Sequence, residues 1–486
     1  MKQSTGRHFG ARLMSGQAAL GIGMVAAVVA GVAACGSNNN NNCHNVPQAT
    51  GLIGQPSYTQ NTPNTGGVSA TALGGVQGSS AVYTNNGTST VYVADFTNHR
   101  ILGFSGVPTG INATAASFII GQSSPTDQNS GTAPDATNPI KFDNPSKVWI
   151  ATTPVHSYLA VADSGNNRVL IWNTPPVGNT APDVVLGQPD FTTGDANHPG
   201  AVPSASSLSR PTAAVISTTG QLVVVDKGNN RVLVWNTVPT VSNTPADFEQ
   251  GQVATDATTG AVTCTTANPY CFKTNIQDID KFNGTTNILA MRQPSDAWTD
   301  GSNLFVTDTG NNRVLYWAGV PNTMNQLPAN LLGANQFGTY TPGGGSGTQA
   351  FNAPWGVASD GASVFVGDTG NNRVLEFQSF VTSPRNGSPA TYVYGQQDFT
   401  HITQNDPDQD GKIGDQRDSP AGNGITAGTM FSPQGVYVNA SLNLILVSDS
   451  GNSRITRFPI TGPSSTGPNG PYGVDGSDTN DGNFCF

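Results

Sequence analysis

Between residues 406 and 418 the chain reads DPDQDGKIGDQRD. Asp406, Asp408 and Asp410 alternate and Gly411 follows, so three carboxylates can converge on one hard cation while the glycine permits the sharp turn. Lys412 would add its backbone carbonyl. The twelfth position, where a calcium loop normally closes with a bidentate glutamate, holds Arg417, flanked by Asp415 and Asp418, and no helix-forming sequence brackets the stretch. The expected ion is calcium in a structural role; the competing reading is a solvated acidic turn.

Six further aspartates each stand five residues before an arginine: Asp95 and Arg100, Asp163 and Arg168, Asp226 and Arg231, Asp308 and Arg313, Asp368 and Arg373, Asp449 and Arg454. Taken singly, any pair could do acid–base work. Six recurrences are better explained as structural pairs that fix turns or join units, with partly buried charges that are costly to separate. The sequence has no Gly-x-Ser-x-Gly elbow, no HExxH, no phosphate loop and no dinucleotide fingerprint.

Those pairs sit in a repeated hairpin. LFVTDTGNNRVLYW (residues 304–317) recurs as VYVADFTNHRILGF, LAVADSGNNRVLIW, LVVVDKGNNRVLVW, VFVGDTGNNRVLEF and ILVSDSGNSRITRF. Its first half alternates as a half-buried strand does, Gly-Asn-Asn supplies residues that tolerate positive φ, and the second half is β-branched and aromatic. Upstream of five copies lies a Pro-containing segment ahead of a short apolar run, as in FDNPSKVWI, LSRPTAAVI, MRQPSDAW, FNAPWGVA and FSPQGVYV. Downstream of five lies an apolar stretch such as FIIGQ, VVLGQPDF or VYGQQDF. Hairpin plus one strand on each side gives the four-stranded blade of a β-propeller, and repetition decides the architecture. No such strand follows the sixth hairpin; its counterpart is GLIGQ at residues 51–55. The expected fold is therefore all-β, a six-bladed propeller whose N-terminal strand completes the last blade and removes a free sheet edge.

The Asp-x-Gly-Asn-Asn-Arg-Val hairpin with its Pro-x-Gly-Val approach resembles the NHL-repeat family of β-propellers over residues 51–458. The resemblance implies fold more than chemistry, since members bind proteins or RNA or act as lyases. Two further readings follow. One is a protein- or ligand-binding scaffold working through loops on one face. The alternative is a metal-dependent lyase or lactonase-type hydrolase in the central channel, as in related amidating lyases and calcium-dependent lactonases. The six histidines, His8, His44, His99, His156, His198 and His401, do not recur at an inner-strand position. Asp296 and Asp360 are carboxylates near the upstream strands, where turn roles are the ordinary expectation. Trp172, Trp235 and Trp317 share one repeat position and read as core, as do Trp149, Trp298 and Trp355 in the upstream strand, which argues against a sugar-binding platform.

Residues 1–34 read as a targeting segment, with Lys2, Arg7 and Arg12 ahead of an apolar run of small residues. Val32-Ala33-Ala34-Cys35 resembles a bacterial lipobox, which implies cleavage before Cys35, lipidation of that cysteine and anchorage in the cell envelope. Gly36 in the next position resembles the outer-membrane pattern. Residues 35–50 form an Asn-rich tether, 51–460 the propeller and 461–486 a Gly- and Asp-rich tail. In an oxidising compartment Cys264 and Cys271, and Cys43 and Cys485, invite disulfides; free thiols or a metal site are the alternative. Net charge is −10, and six of the 20 Lys and Arg residues are the motif arginines. No basic cluster is left to neutralise phosphates, so no nucleic-acid partner is expected. The reading is a monomer that touches the membrane only through its lipid. Two intervals between motif aspartates, 82 and 81 residues, exceed the others. They hold insertions at 255–287 and 401–429, where binding loops are expected.

Overall fold

The computed structural model describes residues 47–107, 109–110, 114–129, 140–252, 290–337, 345–406 and 425–460. They form six antiparallel four-stranded sheets arranged as the blades of a propeller. In five blades the strands follow chain order from the axis outward; blade 3, for example, runs Pro211–Ile216, Leu222–Asp226, Arg231–Trp235 and Phe248–Gln250. Blade 6 takes its outermost strand from the other end of the chain. Gly51–Ile53 pairs antiparallel with Arg454–Phe458, Leu52 opposite Thr456 and Ile53 opposite Ile455. Both residues are buried, and Gln55 donates its side-chain amide to the carbonyls of Asn452 and Ser453.

The apolar alternation read in the sequence is spent between blades. Six clusters of buried aliphatic and aromatic side chains each fill the gap between two neighbouring sheets, so the core is a ring of six layers.

Each motif aspartate and arginine is a junction within this framework. The arginine Nε donates to the aspartate Oδ2 at 2.6–2.8 Å in all six copies, with both side chains at most 1% exposed. The first asparagine of the turn donates to the same oxygen, as Asn311 does to Asp308 at 2.9 Å. Oδ1 accepts a backbone N–H from the segment approaching the first strand, as from Arg292 at 2.7 Å. The guanidinium then ties down carbonyls on either side, those of Phe337 and Ala290 in blade 4. One buried pair thus fixes turn, entry and exit of a blade, and the twofold hydrogen bonding offsets the cost of burying both charges.

The last turn residue has a left-handed backbone in every copy, φ 49–55° at His99, Asn167, Asn230, Asn312, Asn372 and Ser453. That conformation favours Asn among non-glycine residues. In five copies its side chain accepts the N–H of a residue on the approach to the next blade: Asn144, Arg210, Gln293, Ala353 or Ser432. The Gly-Gln repeat is explained too. Gln122, Gln188, Gln252 and Gln396 donate to carbonyls of their own blade's turn, as Gln55 does in blade 6.

On the opposite face, the loop joining the third and fourth strands of one blade covers the outer strand of the blade before it. Asn243 donates to the Val185 carbonyl, Asn325 to that of Glu249, and Gly387 to that of Leu331. Asn179 accepts from Gly121, and Gly110 is bonded to both Thr50 and Leu52. The overlap runs in the same sense at each of these five edges.

Candidate functional site at the ring axis

Because fold-making residues recur in every blade, residues that break the recurrence are where a site is to be sought. Three aligned positions line the axis at the end of the ring that carries the Asp–Arg turns. The second residue after the approach proline is Lys147, Ala213, Asp296, Gly356 and Gly435 in blades 2 to 6, with Gly78 at the matching place in blade 1. Small residues are needed there. A Cβ on Gly435 would stand 2.3 Å from the carbonyl carbon of Gly78, and one on Gly356 would stand 2.1 Å from the Gln434 oxygen. Blades 5, 6 and 1 therefore meet backbone to backbone.

Lys147 and Asp296 are the departures, and they meet. Lys147 reaches past Ala213 of blade 3 to blade 4, where its ammonium donates to Asp296 Oδ1 at 2.6 Å and to the Ala297 carbonyl at 2.8 Å. Asp296 also accepts the N–H groups of Ala297 at 2.8 Å and Val357 at 3.1 Å, joining blades 2, 4 and 5. The two side chains are 1% and 2% exposed. Burial pushes the lysine below and the aspartate above their ordinary values, and each partner's charge pulls the other back. The Lys147 ammonium also lies 5.1 Å from the Trp149 ring centroid.

A second pair of departures lies at the turn end of the axis. The residue after the approach proline is Ser146, Thr212, Ser295, Trp355 and Gln434 in blades 2 to 6. The residue after the motif aspartate is Phe96, Ser164, Lys227, Thr309, Thr369 and Ser450 in blades 1 to 6. Ser164, Thr309 and Thr369 use their hydroxyls to latch the approach-proline carbonyl of the next blade, at Pro211, Pro354 and Pro433. Lys227 has no hydroxyl. Its ammonium instead crosses blade 4 to rest 3.6 Å from the Trp355 ring centroid in blade 5. Burial lowers its pKa to about 8, with Arg210 adding a like charge. Ser146 and Thr212 are buried, and their hydroxyls have no hydrogen-bond partner among the described residues.

The sequence reading of Trp355 as core is corrected here. Trp149 and Trp298 stand three residues deeper along their strands than the hydroxyl position and pack, partly buried, against the clusters between blades, whereas Trp355, also half-buried, belongs to none of these clusters and lies at the axis mouth. Asp296 does not play the turn role expected of it. Asp360 does, accepting N–H groups from Ala362 and Ser363 at 2.9 and 2.7 Å. Lys147, Lys227 and Trp355 were missed as site residues, although aligning the six copies position by position would have exposed all three.

Of the acidic stretch, Asp406 alone is described. It is 1% exposed and follows Asn405, whose side chain bonds to Asn452 of the sixth turn. Asp408, Asp410, Lys412, Asp415 and Asp418 lie outside the described residues, as do Cys35, Cys43, Cys264, Cys271 and Cys485. Among the described residues no group of three His, Cys, Asp or Glu side chains is placed to hold a metal ion. His99 accepts the Asn144 N–H at Nδ1 and lies 3.2 Å from Asp143. His156, His198 and His401 stand on separate loops.

No curated protein matches the chain. Similar solved structures include hydrazine synthase of Kuenenia stuttgartiensis, at 10% identity over 87% of this chain and 99% of that one, TM-score 0.37. Virginiamycin B lyase from Staphylococcus aureus matches at 10% identity over 85% and 99%, TM-score 0.35. The β-propeller domain of Cps50 (Swd1) from Myceliophteria thermophila matches at 8% identity over 79% and 98%, TM-score 0.38. Likeness at this level carries no argument about function. The family model for the NHL repeat matches residues 432–458, the span of the three inner strands of the sixth blade.

Proposed function

We propose that the chain is a binding propeller of the bacterial envelope, anchored as a monomer through lipid on Cys35 in the outer membrane, which takes a protein or small ligand on its turn face. The supporting observation is that the residues breaking the sixfold pattern, Lys227 and Trp355, meet at the axis mouth on that face. The described residues flanking both long insertions lie on the same side: Gln252 bonds to the turn of blade 3 and Arg292 to the motif aspartate of blade 4, while Asn405 bonds to the turn of blade 6 and Phe431 to its motif aspartate. The Lys147–Asp296 pair and the glycine contacts fill the axis just below, which favours a surface ligand over a substrate in the channel. Disulfides at Cys264–Cys271 and Cys43–Cys485 belong to the same proposal, and so does the absence of a nucleic-acid partner. A photo-crosslinking residue at position 293, on the turn face, is expected to capture the ligand from envelope extract. The same residue at position 155 or 241, exposed on the opposite face, is expected to capture nothing. Equal capture from both faces would sink the assignment.

Calcium at Asp406, Asp408, Asp410, Lys412, Asp415 and Asp418 is the metal part of this reading, supported by the alternating carboxylates ahead of Gly411. Calorimetric titration of the parent protein is expected to give saturable heat with calcium that is lost in the triple Asp406→Ala, Asp408→Ala, Asp410→Ala variant. The same weak heat from both would leave a solvated acidic turn.

A further inference from the structure

We infer that the axis mouth binds an oxyanion, the carboxylate or phosphate of a small organic molecule, between Lys227 and Arg210, with the Trp355 indole as its apolar wall. This deepens the proposed function and rests on the turn face being the binding face.

Three observations carry it. First, Lys227 and Arg210 are cations on a chain of net charge −10, yet among the described residues neither has a carboxylate within ion-pair distance. Lys227 rests on an indole, and the backbone sets Arg210 beside it: Gly228 donates its N–H to the Ser209 carbonyl at 2.8 Å, Pro211 pairs with Asp226, and the Arg210 charge acts on the ammonium. Two like charges side by side repel, and an anion between them reverses the sign of that interaction. Second, neither residue is needed by the repeat. The positions that hold Lys227 and Trp355 carry small hydroxyl residues in most other blades, and Arg210 stands where other blades have Asn, Gln, Ala or Ser. Only the backbone N–H of Arg210 serves the framework, donating to Asn167. Third, the buried hydroxyls of Ser146 and Thr212 occupy, in blades 2 and 3, the position that Trp355 occupies in blade 5. Without hydrogen-bond partners among the described residues, these buried hydroxyls are donors for a water enclosed at the axis end rather than direct ligands of the anion.

The charged groups on the elements around Lys227 are Arg210 on the approach to blade 3, Arg292 on the approach to blade 4 and, just below in the axis, Asp296 on the first strand of blade 4, paired with Lys147 of blade 2. Asp226, its neighbour in sequence, is turned inward onto Arg231, and blade 5 offers the uncharged Trp355. Since burial holds the ammonium near a pKa of about 8, the positive form is present below that pH and lost above it. Affinity for an anion that keeps its charge throughout is therefore expected to fall as pH rises through this range.

The test is a titration of the full chain with benzoate and with phenyl phosphate, followed by indole fluorescence from pH 6 to 10. The expected result is a saturable change absent from Trp355→Phe. Binding should weaken about tenfold in Lys227→Met and in Arg210→Met, the loss of one charge-assisted hydrogen bond. Lys227→Arg is expected to keep the affinity and lose the step near pH 8. Preference for benzoate or for phenyl phosphate assigns the carboxylate or the phosphate as the natural group. No saturable change with either probe, or equal affinity in Lys227→Met and the parent, overturns the inference. Face-selective crosslinking would then still stand for the broader reading.

Discussion

Replacing Asp296 with alanine is expected to lower the free energy of unfolding by about 3–5 kcal/mol, because it leaves the Lys147 ammonium buried without its partner. The loss is larger than that of a pair, since Ala297 and Val357 also lose the acceptor for their N–H groups. The double variant Lys147→Met, Asp296→Leu removes both charges and keeps side-chain volume at the axis. It is expected to recover most of that loss, as apolar replacement of buried ion pairs commonly does. Urea unfolding of the parent, each single variant and the double variant measures the coupling as a double-mutant cycle. A change below about 0.5 kcal/mol for Asp296→Ala, the size expected of an ordinary surface substitution, would show that water reaches the axis. It would also reopen the channel as a site.

Removal of residues 1–55 is expected to cost on the order of 5 kcal/mol, from two buried aliphatic side chains and the ladder and Gln55 hydrogen bonds. Ile53 leaves the layer between blades 6 and 1, the buried Leu52 on the other face of the strand is lost with it, and the Arg454–Phe458 strand becomes a bare edge open to pairing with another copy. Removal of residues 1–46 alone tests whether the loss comes from the strand or from what precedes it; under reducing conditions, where the proposed Cys43–Cys485 bridge is open in both proteins, it is expected to leave the unfolding midpoint unchanged. A synthetic peptide of residues 47–60 added to the shorter protein should restore the midpoint in a concentration-dependent way. Unfolding of the 1–55 deletion at the parental midpoint would contradict closure by this strand.

Blade number, strand order and the circular closure were legible because they are written six times. The hairpin motif fixes a turn and two strands at once, and the missing sixth Gly-Gln segment could be found only at the N-terminal end. The meaning of individual motif residues was less legible. Gly-Gln read as a strand end, yet the glutamine is there to satisfy turn carbonyls, a bond between segments far apart in the blade. The site escaped for the opposite reason. Attention to what repeats hides what does not, and Lys147 and Asp296 are 149 residues apart, joined only because the ring carries blade 2 past blade 3 to blade 4. Trp355 looked like Trp149 and Trp298 by proximity to the proline, but a strand's side chains are distinguished by single positions. A displacement of three residues moved it from the packed interior to the axis mouth.

The overlap of each strand-joining loop onto the preceding blade gives the ring a direction. A blade can release its outer strand only after the blade that follows has let go, so loosening should travel backward around the circle, like lifting roof tiles from the ridge. The seam between the last blade and the first obeys the same rule: Gly110 clasps the borrowed strand. A pull applied at the N-terminal end would thus be resisted by blade 1 as well as by blade 6.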